Sequence, residues 1–439
     1  MKKILSIFIT ILILLVLSNA CFSGGYAIYE HGAGAMGMAG CYVALANSPA
    51  TIYFNPGGLT KLSGTNLYMG TTLIFPSTTF EGPFPFTDKN EMKSNVYYPS
   101  NIYVSRALNE KLSIGFGFFS PFGLGTEWKE DWVGRFHAVK TDLQTFFFNP
   151  SVAYKIHPKV SIGAGISYVY SKVILKRAIN TQDAAALGNP IAAFLPYDYF
   201  KGKNGMIDLQ GSGTGFCFNF GALFDVTDKI SFGISYRSSA KIDCDGDAKF
   251  ALPSTLMVPD ESGKPTDIIP ALQLVLKDQK AKTQITMPQT IIAGVAVKVL
   301  PQLTALVDIN YVGWSSFDKL ALEFKDSESL NEEIEEDYEN AMIYRIGLDY
   351  VLNENVSLRA GYIYDASPCP EKSVSPLLPD ANRNEIALGI GYTINKITID
   401  AAFLYIKFDN RRNNIDGKLN GMYSNTAKLF GINFGYFFE

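Results

Sequence analysis

The amino-acid sequence predicts an all-β protein: a fourteen-stranded antiparallel transmembrane β-barrel of the outer-membrane type, with an N-terminal plug. Composition is the first observation, because 18% of the 439 residues are charged, 13% are aromatic and 38 are glycine. Soluble domains carry about 25% charged residues. A mean hydropathy of +0.08 is too low for a bundle of membrane-spanning helices. The other two observations are regularly spaced turns and alternation within the strands.

The N-terminus predicts export. Two lysines precede an apolar run over residues 4–17, and small residues follow it. This is the pattern of a secretory signal peptide, which we assign to residues 1–23. Two cleavage patterns compete: a weak lipoprotein box that would lipidate Cys21, and a small-residue site before Gly24, which fits better.

Charge and cysteine usage exclude several classes of partner. The formal net charge is −4, and the sequence has no basic stripe of the kind that nucleic-acid binding needs. The acidic run over residues 323–339 is interpreted as a solvated extracellular loop, with bound calcium as the alternative. The cysteines after the signal peptide lack CxxC spacing, which excludes a common zinc site, and no cofactor is expected. Their disulfide pairing stays open: Cys41, Cys217, Cys244 and Cys369.

Six short polar turns, each followed by a β-branched residue or leucine and then Ser or Thr, recur along the chain. Turn residues between alternating segments predict β-hairpins. Six hairpins, one strand before them (65–75) and one after them (425–438) give fourteen strands. The turns lie at residues 109–113, 157–161, 227–231, 301–304, 353–357 and 395–398.

The connections between the hairpins are much longer than the turns. Short turns on one side and long loops on the other are typical of outer-membrane barrels. An even strand number places both chain ends on the periplasmic side. The predicted loops are 76–95, 122–142, 178–214, 251–279, 326–336, 368–381 and 411–423.

Alternation within the strands predicts which face meets lipid. In residues 160–177, apolar side chains such as Ile162 and Tyr168 alternate with small polar ones such as Ser161 and Ser167. Apolar-out and polar-in alternation is required when lipid surrounds a wet lumen. A soluble β-barrel, the alternative, would place the apolar set inside.

Residues 24–60 precede the first strand and are too short and glycine-rich to fold alone. A position inside the lumen would satisfy their backbone polar groups, so we expect a plug, or hatch, and assign residues 61–439 to the barrel. Asn55, Pro56 and Gly57 are predicted to take part in its gating. A simple turn is the alternative for Asn55-Pro56.

A proline interrupts the segment 116–124, which otherwise has the pattern of a spanning strand. Proline cannot donate to the strand ladder, and unpaired backbone in hydrocarbon is costly unless it lines a cavity. We therefore expect a kink with a lateral opening in the wall, formed by Ser120, Pro121, Phe122 and Gly123. The alternative is that the strand ends there at the outer rim.

The motifs GAMGMAG (34–40), YFNPGGL (53–59), SPFGL (120–124), WSSFD (314–318) and LRAGY (358–362) together resemble the FadL/TodX family of outer-membrane transporters. The resemblance covers residues 24–438. It implies a hatch-plugged barrel for passive uptake of long-chain fatty acids or similar hydrophobic molecules, through a lumen pocket, hatch rearrangement and a lateral wall opening. An aromatic-hydrocarbon channel of the same family is the alternative within this class.

The resemblance also implies ligand-binding residues. Arg177 shares the inward parity of its strand and matches a basic residue of the family's fatty-acid pocket, with Leu175 and Tyr26 as further ligand contacts. A guanidinium can bind a carboxylate in a bidentate manner. The alternative is a structural charge paired with Glu385 or Asp400. Some relatives carry a lysine where this chain is acidic, before residues 344–347.

No catalytic constellation is evident, because the three histidines fall in the plug, a loop and a turn, so an outer-membrane acyl enzyme is not expected. A general diffusion porin or a surface barrel is the alternative from another class. Expected partners are outer-membrane lipid and, during biogenesis, the barrel-assembly machinery of a Gram-negative-type bacterium. Glu439 follows the terminal Phe438, so recognition by that machinery is expected to be less standard.

Overall fold

The computed structural model describes residues 24–438 except 86, 197, 198, 201, 261 and 414–418. The predicted signal peptide (1–23), the lipidation alternative at Cys21 and the terminal Glu439 lie outside the described residues.

Fourteen antiparallel strands form a closed barrel, which confirms the predicted fold class. Each strand pairs with its neighbours in sequence, and the last pairs with the first over residues 65–81 and 422–438. Four strands, β3, β7, β8 and β9, are interrupted, and β10 has a short outer segment. The strands are β1 Thr65–Glu81, β2 Ser100–Ala107, β3 Leu112–Phe119 and Gly123–Glu127, β4 Lys140–His157, β5 Val160–Ile179, β6 Gly205–Thr227, β7 Ile230–Arg237 and Ala240–Ala251, β8 Gln279–Met287 and Thr290–Leu300, β9 Leu303–Val312 and Lys319–Phe324, β10 Glu332–Glu335 and Ala341–Val351, β11 Val356–Asp365, β12 Arg383–Ile394, β13 Ile397–Phe408 and β14 Gly421–Phe438.

The side chains alternate across the wall as predicted. On β14, Phe430 and Phe434 are exposed on the outer face, whereas Asn433 between them is fully buried. On β5, Ile162 and Tyr168 are exposed in the same way. The apolar set faces outward, so the soluble-barrel alternative is wrong. Among the described residues, no helix combines the length and the apolar composition needed to span a bilayer.

The first strand is longer than predicted, because it continues through Pro76 to Glu81. Pro76 lies opposite Ala427 of β14. Ile74 donates on the other side, to the carbonyl of Tyr97 at 2.8 Å. The backbone groups of Pro76 face the same side as those of Ile74. Proline has no amide hydrogen to donate, and the neighbouring chain forms no ladder hydrogen bond with it at this position. A proline in this position does not interrupt the β1–β14 pairing.

Strands extend into six of the seven predicted loops, as two examples show. The loop predicted from 178 to 214 ends at Gly205, where β6 begins. The acidic run 323–339, predicted to be loop, includes the segment Glu332–Glu335, which pairs with Lys319–Phe324. Opposite charges support this hairpin, since Lys319 contacts Glu333 at 2.9 Å.

Residues 24–61, the N-terminal segment, lie within the barrel and are mostly buried. They form two single-turn helices, α1 (Ala33–Met36) and α2 (Thr51–Phe54), and a 3₁₀ helix over Pro56–Lys61. Inward-facing wall side chains accept from their backbone: Asn433 from Ala33 at 2.8 Å, and Asp308 from Tyr42 at 2.9 Å. These partners satisfy backbone groups that have no partner within the N-terminal segment itself, at the first turn of α1 and between the two helices. The assignment of this segment as a movable plug stays a prediction.

Candidate functional site

The third strand breaks at the residues where a kink was predicted. Both halves of β3 pair with β4: Phe119 lies opposite Phe147 and Gly123 opposite Gln144. Between the halves, the backbone of Phe122 donates to the Thr145 hydroxyl at 3.3 Å and accepts from it at 2.7 Å. The kinked backbone is therefore bonded on its β4 side.

The N-terminal segment meets the kink from inside the barrel. Ala27 forms a β-bridge with Phe122. The Ile28 amide donates to the Pro121 carbonyl at 2.8 Å, and the Gly123 amide donates to the Tyr26 carbonyl at 2.9 Å. The backbone groups freed by the proline thus bond to the lumen segment, which couples the position of that segment to the shape of the wall.

The wall has a gap between β2 and β3. These strands pair from Ala107 opposite Ser113 as far as Ile102 opposite Phe118. The chain before β2 then follows β1, with Tyr97 bridging Ile74. Within the described residues, the next backbone hydrogen bond across to β3 is Lys93 to Glu127, at 2.7 Å. We call the unpaired stretch between these two points the wall gap.

A tyrosine ring fills part of the wall gap. Gly125 has no side chain, and a Cβ built there would overlap the ring of Tyr97. Tyr97 is half-buried, whereas its neighbour Tyr98 is 71% exposed. Because Gly125 leaves this space free, the ring of Tyr97 lies across the opening.

A cavity of about 520 Å³ lies behind the wall gap, in the loop-side half of the lumen. Binding pockets for small molecules have volumes of about 300–1,000 Å³. Aromatic rings line it, among them Tyr26 and Phe122, whose centres lie 6.0 Å apart. Tyr26 is held from outside the lining by edge-on packing against Trp314 at 4.7 Å and Phe317 at 5.4 Å. We call this space the loop-side cavity.

Charged groups lie at the inner end of the loop-side cavity. Arg383 donates to Asp380 at 2.8 Å and to the Gly25 carbonyl at 2.6 Å. Asp380 also accepts from the Gly25 amide at 3.0 Å. Glu30 and Glu385 line the same end. Burial raises the pKa of the Glu30 carboxyl, although Arg345 and nearby backbone amides act in the opposite direction.

The predicted ligand-binding residues do not come together. Tyr26 lines the loop-side cavity, but Leu175 and Arg177 lie outside its lining. Arg177 is about a third exposed and forms an ion pair with Glu332 on the short outer segment of β10. The alternative prediction, which paired Arg177 with Glu385 or Asp400, is wrong. The unpredicted strand segment Glu332–Glu335 brings Glu332 into contact with Arg177 instead. A ligand-binding role for these residues stays a prediction.

Asn55 forms the predicted turn and also anchors it to the wall. Its side-chain amide donates to the Val43 carbonyl at 2.7 Å and to the Ala222 carbonyl of β6 at 2.9 Å. Its oxygen accepts from the Gly57 amide at 3.1 Å. Pro56 begins the 3₁₀ helix, where its missing donor costs nothing. Gating by these residues stays a prediction.

Sequence reasoning missed several residues of this site, among them Tyr97, Gly125 and Glu30. One signal for Glu30 was available: it is the single charged residue between Gly24 and Thr60. Its neighbour His31 is buried against Tyr53, with ring centres 3.8 Å apart. Burial lowers the pKa of His31 to about 3, so the ring is neutral at physiological pH.

The four cysteines after the signal peptide are buried and unpaired with one another in the described structure. In the same part of the chain, no cluster of His, Cys, Asp or Glu has the arrangement of a metal site.

A closed barrel with lipid-facing apolar strands, an occupied lumen and an interrupted wall defines the class of outer-membrane transport proteins. The sequence matches the family described as outer membrane protein transport protein (OMPP1/FadL/TodX) over residues 14–438. The chain belongs to this family, as the sequence motifs predicted, and it is a protein of the outer membrane.

Individual relatives cover nearly the whole chain. The long-chain fatty acid transport protein of Escherichia coli O6:H1 is 26% identical over 442 residues, which is 96% of each chain. A crystal structure of a Pseudomonas aeruginosa FadL homologue covers 95% of this chain and 100% of its own, with a TM-score of 0.81 at 18% identity. The toluene transporter TodX of Pseudomonas putida covers 94% and 99%, with a TM-score of 0.73 at 16% identity. These structural likenesses support the fold.

Proposed function

We propose that this protein carries long-chain fatty acids or similar hydrophobic molecules passively across the outer membrane. The observation that supports this most strongly is the position of the loop-side cavity directly behind the wall gap. One aromatic-lined space thereby borders both the lumen and the lipid-facing side. The fatty-acid transport relatives favour the same substrate class.

Hydrophobic transfer supplies the driving force for entry into the loop-side cavity. A ligand gains about 0.8 kcal/mol for every methylene group that leaves water for the apolar rings of the cavity. Release towards the periplasm or into the wall then requires the N-terminal segment to move, because Tyr26 and Ile28 are bonded to the kinked backbone. The path uses no cofactor and no covalent chemistry.

Arg177 has a more peripheral place in this proposal. Its guanidinium lies with Leu175 outside the loop-side cavity and already holds Glu332. A fatty-acid carboxylate would have to displace that partner. We therefore place Arg177 and Leu175 at an outer contact, before the ligand reaches Tyr26.

An aromatic hydrocarbon is the second candidate substrate. The ring cluster around Tyr26 favours it, because edge-on aromatic pairs add about 0.5–1.5 kcal/mol to the burial of a ring. The likeness to toluene transporters concerns the fold and leaves this choice to experiment. A general diffusion porin is disfavoured, because residues 24–61 occupy the lumen.

Two measurements on the purified protein test the proposal. Mass spectrometry of the natively purified barrel should find co-purifying fatty acids or other hydrophobic molecules. Planar-bilayer recording should show a very low conductance, because the N-terminal segment fills the lumen. A large, steady ohmic conductance, with no bound hydrophobic molecule, would contradict transport of hydrophobic molecules and indicate a porin.

A further inference from the structure

One buried arginine of the lumen has no acidic group beside it. Among the described residues, the arginines with the least exposure are Arg237, Arg345 and Arg383. Arg383 forms ion pairs with two aspartates, at 2.8 and 3.7 Å. Arg345 acts electrostatically on the carboxyl groups of Glu30 and Glu385. Arg237, in contrast, contacts neutral groups and forms no ion pair in the described part of the chain.

Neutral acceptors and aromatic rings surround the Arg237 guanidinium. Its Nη2 donates to the Tyr53 carbonyl at 3.2 Å, and its Nη1 donates to the Ser167 hydroxyl at 3.5 Å. The ring centres of Tyr53 and Phe119 lie 5.3 and 5.2 Å from the guanidinium carbon. Cation–π contacts and neutral acceptors offset the cost of burying a charge only in part. The guanidinium therefore retains the capacity to bind an anion.

A second donor without a partner lies next to this guanidinium. Asn219 is 1% exposed and lies directly opposite Arg237 in the β6–β7 ladder. Its side-chain oxygen accepts from the Asn149 amide at 2.9 Å, whereas its Nδ2 has no hydrogen-bond partner in the described structure. Asn149 also donates to the Ser167 hydroxyl, at 2.9 Å. Donors outnumber acceptors in this group, which suits a carboxylate, because an ionised carboxylate only accepts hydrogen bonds.

A layer of three rings separates the guanidinium from the loop-side cavity. Glu30 and Ser120 line the cavity, and the residues next to them in sequence, His31 and Phe119, have ring centres 5.6 Å apart. Both rings pack against the ring of Tyr53, at 3.8 and 5.3 Å. We call His31, Tyr53 and Phe119 the ring layer. Two of its three rings also lie over the guanidinium, so the cation is the first charged group beyond the ring layer on that side.

The same contacts join the N-terminal segment to the wall. Tyr53 belongs to α2, and Phe119 is the last residue of β3 before the break at the kink. Arg237 ends the first half of β7 and contacts both of them. A ligand group that takes the place of the Tyr53 carbonyl on the guanidinium would therefore remove one attachment of the N-terminal segment.

We propose that Arg237 and Asn219 form the inner carboxylate site of the transport path. The carboxylate of a long-chain fatty acid that passes the ring layer supplies the counter-charge that Arg237 lacks and accepts a hydrogen bond from Asn219. It replaces the Tyr53 carbonyl and thereby detaches α2 from β7, while the hydrocarbon tail remains in the loop-side cavity. The proposal rests on the transport function proposed above and assigns the residues that recognise the acid group.

Equilibrium binding to the full mature protein in detergent tests this site. The probes are a radiolabelled long-chain fatty acid and the alcohol of the same chain length, at neutral pH. Arg237→Gln keeps a hydrogen-bond donor and removes the charge. It should weaken binding of the acid by about ten- to a hundredfold and change binding of the alcohol by less than about threefold. Arg237→Lys should recover part of the loss, because lysine keeps the charge without the planar fork.

Arg411→Gln is the matched control for Arg237→Gln. Arg411 also donates to a hydroxyl and a carbonyl, those of Ser367 at 3.0 Å and Cys369 at 2.6 Å. It lies outside the lining of the loop-side cavity. The control variant should therefore change the affinities for the acid and the alcohol by less than about twofold, the range of a substitution that the ligand does not contact.

Hydrogen–deuterium exchange in the wild type tests the same site without a substitution. Saturating fatty acid should speed the exchange of backbone amides in residues 50–57 several-fold, because α2 loses its attachment to Arg237. The alcohol of the same chain length should leave that exchange unchanged, because it offers no counter-charge to the guanidinium. This measurement decides the matter if Arg237→Gln does not assemble.

The possible outcomes separate this site from the transport function. Equal losses for acid and alcohol in Arg237→Gln would show that Arg237 only shapes the lumen, and unchanged binding of the acid would show that its carboxylate binds elsewhere. Either result would overturn the proposed site and leave transport intact, as would equal exchange with the acid and the alcohol in the wild type. Failure of the wild type to bind either ligand would contradict the transport function itself.

Discussion

The two halves of the barrel interior are built in different ways. On the turn side, the N-terminal segment contacts the wall through backbone: a Cβ at Gly37 would lie 2.8 Å from the Cα of Gly389, and one at Gly57 would lie 3.0 Å from the Gly221 carbonyl. On the loop side, aromatic rings surround open space. Close backbone approach leaves no room for a ligand, whereas loosely opposed rings do.

The polar groups of the two halves differ in the same sense. Turn-side wall groups such as Asp308 and Asn433 are occupied by amides of the N-terminal segment. On the loop side, Glu385 has no such partner in the described structure. A satisfied polar group holds two surfaces together, and an unsatisfied one is available to a ligand. The proposed function therefore assigns the role of a seal to the turn side and that of a binding space to the loop side.

Removing the seal should have the largest effect. Deletion of residues 24–51 should leave an assembled, heat-modifiable barrel with a much higher ion conductance, because the strands pair with each other around the barrel and, among the described residues, the backbone of this segment bonds to theirs only at the kink of β3. Single-channel recording beside the full-length protein measures the change. If the deletion abolishes barrel assembly, the segment is part of the folding core and the assignment of a separate plug is wrong.

Removing one attachment of the N-terminal segment to the wall should raise the ion conductance less than the deletion does. Asp308→Ala removes the acceptor of two backbone hydrogen bonds, from Tyr42 at 2.9 Å and Val43 at 3.1 Å. A loss of about 1–3 kcal/mol should raise the fraction of open-channel events by about five- to a hundred-and-fiftyfold.

Asn310→Ala is the matched control for Asp308→Ala. Asn310 is fully buried two residues further along the same strand, and its side chain has no hydrogen-bond partner in the described structure. Its conductance record should match the wild type. Equal opening in both variants would mean that the wall, and not the attachment of the N-terminal segment, has been damaged.

The Tyr97 ring in the wall gap offers a third test, on the loop side. Tyr97→Ala removes the ring that lies on Gly125, so uptake of a labelled fatty acid by whole cells should accelerate several-fold. Tyr98→Ala, at the neighbouring position that is 71% exposed, should change the rate much less, because the Tyr98 ring does not lie on Gly125. If the two variants behave alike, the ligand does not pass between β2 and β3.

Arg177 should show the smallest effect. Exposed ion pairs contribute about 0–1 kcal/mol, and Arg177 is already paired with Glu332. Arg177→Ala should therefore weaken fatty-acid binding by no more than about fivefold. A hundredfold loss of affinity for the fatty acid, with no loss for the alcohol of the same chain length, would identify Arg177 as the main carboxylate site. That result would contradict the outer position proposed for Arg177.

The wall could be predicted from local sequence patterns, whereas the candidate site could be predicted only in part. The alternation within strands and the turns between them depend only on neighbouring residues. The number of strands and the face of each strand that meets lipid could therefore be predicted, and so could the interruption at Pro121. The partner of Arg177 depended on Glu332, 155 residues away, in a hairpin whose acidic composition resembles a loop. The contact of Tyr97 with Gly125 likewise joins the chain before β2 to the second half of β3, and no local pattern specifies how these two segments pack.

Photocrosslinking in native outer-membrane vesicles tests the central claim most directly. A hydrophobic probe with a photoactivatable group would be irradiated in the membrane, and the labelled peptides would be mapped by mass spectrometry. We predict adducts in residues 26–30, 95–99 and 120–127, which surround the loop-side cavity and the wall gap. Adducts confined to outward-facing strand residues such as Phe430 and Phe434 would show that the probe only coats the barrel, and would contradict a path through the wall.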